Sequence, residues 1–165
     1  MGDSAADGGA KGQTPSDPAA PAAPAQSARA ADDVPEGFVV LANRSPYGRL
    51  IGPVYEKATP EGRVFGVRIA EKHVNLGGIA HGGMMASFAD VVLGQFESRD
   101  YSRVTVTVRM VTDYVAASRL GDWLEGRATV TKETGSMVFV DATITCRSHL
   151  VLRASGVFKL LKRKW

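Results

Sequence analysis

The sequence predicts an α+β domain in which an antiparallel sheet is built around one buried central helix. Three observations point there. Most of the chain after Val34 alternates apolar and polar residues with period two, as in strands that send successive side chains to opposite faces. Short turn sequences join these stretches, which fits antiparallel pairing. Only Met84–Glu97 reads as a convincing helix, and it is apolar on more than one face, as in a helix enclosed by its own fold.

The elements follow in order. Residues 1–33 contain no Ile, Leu, Val, Phe, Tyr or Trp. Such a segment cannot bury enough apolar surface to offset its ordering entropy, so a disordered Ala/Pro/Gly-rich tail is expected there, with the domain over 34–165. Pro35–Leu41 reads as a short helix or an extended lead-in. Arg49–Lys57 and Arg63–Ala70 read as two strands around the turn Thr59-Pro60-Glu61-Gly62. The glycine-rich segment His73–Gly83 and the helix come next. After them Val104, Val106, Val108 and Met110 alternate with Thr105, Thr107 and Arg109. Leu124–Val130, Val138–Cys146 and Val151–Leu161 complete four strands behind the helix. Val157 and Leu161 oppose Phe158 and Leu160, so the last strand is apolar on both faces. A lone subunit would expose more apolar surface than monomers tolerate, and a homo-oligomer is expected.

Composition narrows the function. The chain has 165 residues, 44% hydrophobic and 22% charged, ordinary values for a soluble single domain. The single cysteine, Cys146, permits no intrachain disulfide and no thiolate metal site, which suits a reducing compartment. No apolar run approaches the roughly 20 residues of a membrane span. The N-terminus lacks a basic stretch followed by an apolar one, so the cytoplasm is the expected location, with no membrane partner. The net charge of +3 divides into −3 over 1–33 and +6 over 34–165. Only Lys159, Lys162, Arg163 and Lys164 cluster; the other basic residues are dispersed. A nucleic-acid partner is therefore not expected, and an anionic small molecule suits the modest excess better. His73, His81 and His149 are not spaced as a ligand set, so no metal is expected. Neither a G-x-S-x-G elbow nor a phosphate-binding glycine motif is present.

The informative segment is Asn75-Leu76-Gly77-Gly78-Ile79-Ala80-His81-Gly82-Gly83, leading into the helix that carries Asp90. Taken singly, its glycines are ordinary loop residues and His81 an ordinary helix cap. Asp90 is harder to explain structurally. Asp is a poor helix former, an unpaired buried charge is costly, and the helix supplies no Lys or Arg to pair it. A carboxylate so placed is a functional candidate. The amides of Gly82 and Gly83 at the helix start suit developing negative charge. Asp90 lies seven residues beyond Gly83, roughly 10 Å along the axis. If both serve one reaction, Asp90 must meet the helix start of a second subunit across a two-fold interface.

The pattern Asn75-x-x-Gly78-x-x-His81-Gly82-Gly83, followed by Asp90 and Gly94, closely resembles hotdog-fold acyl-CoA thioesterases of the phenylacetate-degradation type. The resemblance covers about residues 35–162, including Tyr47–Gly52 and Gly121-Asp122. It implies a hotdog fold, a sheet wrapped around the helix, with dimers joined edge to edge and often paired into tetramers. It implies hydrolysis of an acyl-CoA to acid and CoA, the CoA being part of the substrate and no cofactor being needed. Asp90 would be general base or nucleophile, and the Gly82 amide would polarise the carbonyl. Asn75 and His81 would orient substrate and attacking group, and Gly83 and Thr107 would contact the substrate. Met84, Met85, Phe88 and Phe96 are candidates for the acyl pocket by size. Arg103, Lys132 and Lys162–Lys164 are candidates for holding CoA. Two other readings stand beside hydrolysis. One is a non-catalytic acyl-CoA sensor. The other is an enoyl-thioester hydratase, whose Asp precedes its His on the loop, whereas here Asp90 follows His81 within the helix.

Overall fold

The computed structural model describes residues 33–42, 45–96 and 103–162. Residues 1–32 of the expected tail, Glu97 of the expected helix, and Arg163 and Lys164 of the basic cluster lie outside them. The strands are β1 Val39–Val40, β2 Val54–Thr59, β3 Gly62–Arg68, β4 Arg103–Tyr114, β5 Trp123–Glu133, β6 Met137–Cys146 and β7 His149–Lys162. The helices are α1 Pro46–Ile51 and α2 Gly82–Gly94. All strands join one sheet in the order β1-β2-β3-β5-β6-β7-β4, and every neighbouring pair is antiparallel.

The sheet curves around α2, which packs on β4, β5, β6 and β7. Phe88, Ala89, Val92 and Leu93 of α2 have no exposed surface. Each large apolar side chain so buried contributes about 1.5–3 kcal/mol. Two glycines let the helix sit this close. A Cβ at Gly126 of β5 would come within 2.5 Å of Val92, and one at Gly156 of β7 within 3.2 Å of Leu93.

Three local differences from the sequence reading have physical causes. Arg49–Ile51, expected in the first strand, are helical. Ser45 Oγ caps α1 by accepting the Gly48 N–H at 2.9 Å, and Pro46 supplies the fixed φ of a first helical turn. Of the two forms expected for the lead-in, it takes the extended one, with β1 pairing β2. The central helix begins two residues earlier than expected, because His81 caps it ahead of Gly82, and it ends at Gly94. Finally, β4 does not alternate throughout. Thr107 pairs with Phe158 and Arg109 with Val157, so Val108 is the extra residue of a β-bulge. Beyond it the faces exchange parity. Met110 packs against the core on the same side as Thr107, whereas Val106, Val108 and Val111 are exposed.

Candidate active site

The loop before α2 is closed on itself. Val74 bridges Ala80 and Ile79 bridges Arg119. Asn75 Oδ1 accepts the N–H groups of Gly77 at 2.9 Å and Ile79 at 3.4 Å. Gly78 occupies the left-handed region at φ +71°, where a side chain would be strained. The buried His73 underlies this loop. Its carbonyl accepts the His81 N–H at 2.8 Å, and its Nδ1 accepts the Ala70 N–H at 3.1 Å. Desolvation, helped by the neighbouring Lys72 charge, holds its imidazole below the usual histidine range.

His81 Nδ1 accepts the Gly83 N–H at 3.0 Å. Only a ring nitrogen without a proton can do so, which leaves the proton on Nε2 as a donor at an exposed position. Among the described residues the Gly82 N–H has no acceptor. It lies at the positive end of α2. Tyr114 Oη donates to the Gly82 carbonyl at 2.9 Å, and its ring stands 3.6–3.7 Å from where a Gly82 Cβ would be.

Asp90 sits more than two turns along α2 and is half-buried. Its Oδ1 accepts a hydrogen bond from Thr107 Oγ1 at 2.8 Å. It opens on a cavity of about 400 Å³ between α1 and α2, walled by Tyr47, Ile51, Ser87, Val91 and Met110. Ser87 Oγ donates to the Gly83 carbonyl at 2.8 Å, so in the 2.5 Å contact of Tyr47 Oη with Ser87 Oγ the tyrosine is the donor. That chain ties α1 to the start of α2.

Within one subunit the sequence candidates form two groups. Asp90 and Thr107 are together. Gly82, Gly83 and His81 are together at the helix start, with Asn75 on the loop that leads to it. The groups are separated by eight residues of helix, about 12 Å. The large residues proposed for an acyl pocket are elsewhere: Met84, Met85 and Phe88 belong to the core, and Phe96 packs on Phe158 with ring centroids 5.5 Å apart. Lys132 is exposed on β5; the side chains of Arg103 and Lys162–Lys164 lie outside the described residues. Tyr47, Ser87, Met110 and Tyr114 were not legible as site residues. For Tyr114 the bulge is the reason, since a plain two-residue period places it on the opposite face from Thr107.

The model of the thioesterase superfamily matches residues 77–152, a stretch that contains His81, Gly82, Asp90, Thr107 and Tyr114. The chain is 41% identical over 131 residues to PA0474 of Pseudomonas aeruginosa, whose name provisionally calls it an esterase. The match covers 78% of this chain and 98% of that one. Among solved structures, the conserved protein PA5202 of Pseudomonas aeruginosa aligns with a TM-score of 0.65 at 26% identity, over 71% of this chain and 94% of that one. A hypothetical thioesterase of Streptococcus pneumoniae, solved with coenzyme A, aligns with a TM-score of 0.57 at 20% identity, over 62% and 83%. With its sheet wrapped around one helix and its match to PA0474 over nearly the whole length of that relative, the chain belongs to the thioesterase superfamily and has the hotdog fold.

Proposed function

We propose that this protein hydrolyses acyl-coenzyme A to a free acid and CoA, in active sites shared between two subunits. The observation that carries the reading is the hydrogen bond from Thr107 to Asp90 at the wall of the largely apolar cavity. It holds a carboxylate beside a space suited to an acyl group. Asp90 takes a proton from water as the water oxygen bonds to the thioester carbon. The carbonyl oxygen becomes an oxyanion, stabilised by the Gly82 N–H of the second subunit, with the His81 Nε2–H and Asn75 orienting the reactants. The C–S bond then breaks and the CoA sulfur receives the proton. Alternatively, Asp90 attacks directly, and water hydrolyses the resulting anhydride. A single turnover in H₂¹⁸O tests for direct attack: label in Asp90 requires the anhydride, opened by water at the aspartyl carbonyl, whereas base catalysis labels only the released acid.

The shared site follows from reach. A carbonyl bonded to Gly82 cannot also lie within reach of an Asp90 about 12 Å along the same helix. β4 offers the means of assembly. It is a sheet edge of 12 residues with Val106, Val108 and Val111 exposed, a surface that suits pairing with a second copy. Exposed Phe139 and Leu161 on β6 and β7 suit a further pairing of dimers. CoA enters as part of the substrate, a reading supported by the pneumococcal structure's having been solved with coenzyme A, and the reaction uses no resident cofactor and proceeds in the cytoplasm.

The test is thiol release from short-chain, long-chain and aromatic acyl-CoA thioesters, comparing wild type with Asp90→Asn. Loss of about 10²- to 10⁴-fold is expected for the variant, with its fold and oligomeric state intact. Absence of release from every thioester, with acyl-CoA still bound, would replace hydrolysis by a binding role.

A further inference from the structure

We propose that Tyr114 is a positioning residue for the oxyanion donor, fixing the Gly82–Gly83 peptide directly after the Gly82 N–H, and with it the Gly82 backbone, so that this N–H stays aimed at the substrate carbonyl. The inference rests on the hydrolase reading and adds a residue to it.

Gly82 is conformationally loose: it has no side chain, another glycine follows it, and it begins the helix, where the amides lack intrahelical acceptors. Electrostatic stabilisation depends on donors that need no reorganisation when charge develops. Three contacts restrain this stretch. His81 Nδ1 holds the Gly83 N–H, and Ser87 Oγ donates to the Gly83 carbonyl. Tyr114 Oη donates to the Gly82 carbonyl at 2.9 Å. Of these three, Tyr114 acts on Gly82 itself and comes from outside the helix; from within it, the Met85 N–H donates at 3.0 Å to the His81 carbonyl of the peptide that carries the Gly82 N–H. The Tyr114 ring also stands 3.6–3.7 Å from where a Gly82 Cβ would be.

The contact is reached from an unusual place. Tyr114 ends the strand that carries Thr107, and Thr107 holds Asp90. A regular strand would send these two residues to opposite faces, and the bulge at Val108 brings both onto α2. Where sites are shared, each β4 therefore supports the carboxylate of one site and the oxyanion donor of the other.

The first measurement is kcat and KM of Tyr114→Phe, which keeps the ring and removes the hydrogen bond. A neutral hydrogen bond of this kind corresponds to a fall in kcat of about three- to tenfold, with KM and melting temperature nearly unchanged. An unchanged kcat, or a fall matched by lost stability, would overturn the proposal. The second uses dimers of two differently tagged subunits, one carrying Asp90→Asn. When Tyr114→Phe is in the same subunit as Asp90→Asn, it weakens the helix start that serves the one intact Asp90. In the other subunit it serves the site already lost. The first arrangement should be about three- to tenfold slower than the second. Equal rates would make Tyr114 merely structural. If wild type releases no thiol, the hydrolase reading itself has failed, and that result is distinct from either outcome for Tyr114.

Discussion

Thr107 and Tyr114 are seven residues apart on β4, yet the hydroxyl of one reaches Asp90 and that of the other reaches Gly82. An odd separation puts two side chains on opposite faces of a regular strand. One extra residue, Val108, restores them to the same face. The strand thus runs beside α2 in the opposite direction and touches it at both functional positions.

Deleting Val108 should straighten the ladder and turn either Thr107 or Tyr114 away from α2. Loss of most thiol release is expected in a chain that still shows the circular dichroism of a sheet protein. Activity near that of wild type would mean that the two hydroxyl contacts are incidental.

Thr107→Val keeps the shape of the side chain but removes the donor to Asp90. Hydrogen bonds to charged groups are worth about 1.5–3 kcal/mol, so kcat should fall by about 10- to 100-fold. Denaturant unfolding should change far less than kcat. A large loss of stability with kcat preserved would assign Thr107 to the fold.

The cavity wall should set acyl preference. Val91 and Met110 face the space beside Asp90, so Val91→Phe should narrow it. Selectivity should move toward shorter acyl groups, measured as a ratio of kcat/KM values. An unaltered ratio across the thioester panel would place the acyl group elsewhere.

His73 gives a pH dependence of stability. In the folded chain its proton is held less tightly than usual because the ring is buried. As pH falls below the ordinary histidine value of about 6.5, the unfolded chain takes up the proton first. Its contribution is therefore complete above that value and lost as pH falls through the depressed one. Melting temperature should drop from pH 7 to 5, with a shallower slope in His73→Gln. Equal slopes would show that another group governs the acid limb.

Much of this was legible in the residues. The antiparallel sheet followed from period two, and the buried helix from apolar residues on more than one face. Asp90 stood out because no residue of its own helix could pair it. What was not legible depended on contacts between distant segments. The capped turn Ser45-Pro46 made a helix from residues that resemble a strand edge, and that helix supplies Tyr47 and Ile51 to the cavity. The bulge at Val108 left no mark in a run of alternating valines and threonines, so the side of β4 that faces α2 could not be read beyond it. Large residues of the helix suggested a pocket, whereas their size serves the core.

The most direct test of the shared site mixes Asp90→Asn subunits with Gly82→Pro subunits, each inactive alone. Proline suits the first position of a helix and replaces the N–H by a ring carbon, and His81 already has the extended backbone required before it. In a verified mixed dimer one site carries both lesions and the other carries neither. Recovery of about half the wild-type activity is expected if Asp90 and Gly82 meet across the interface. No recovery in such dimers would contradict the shared site.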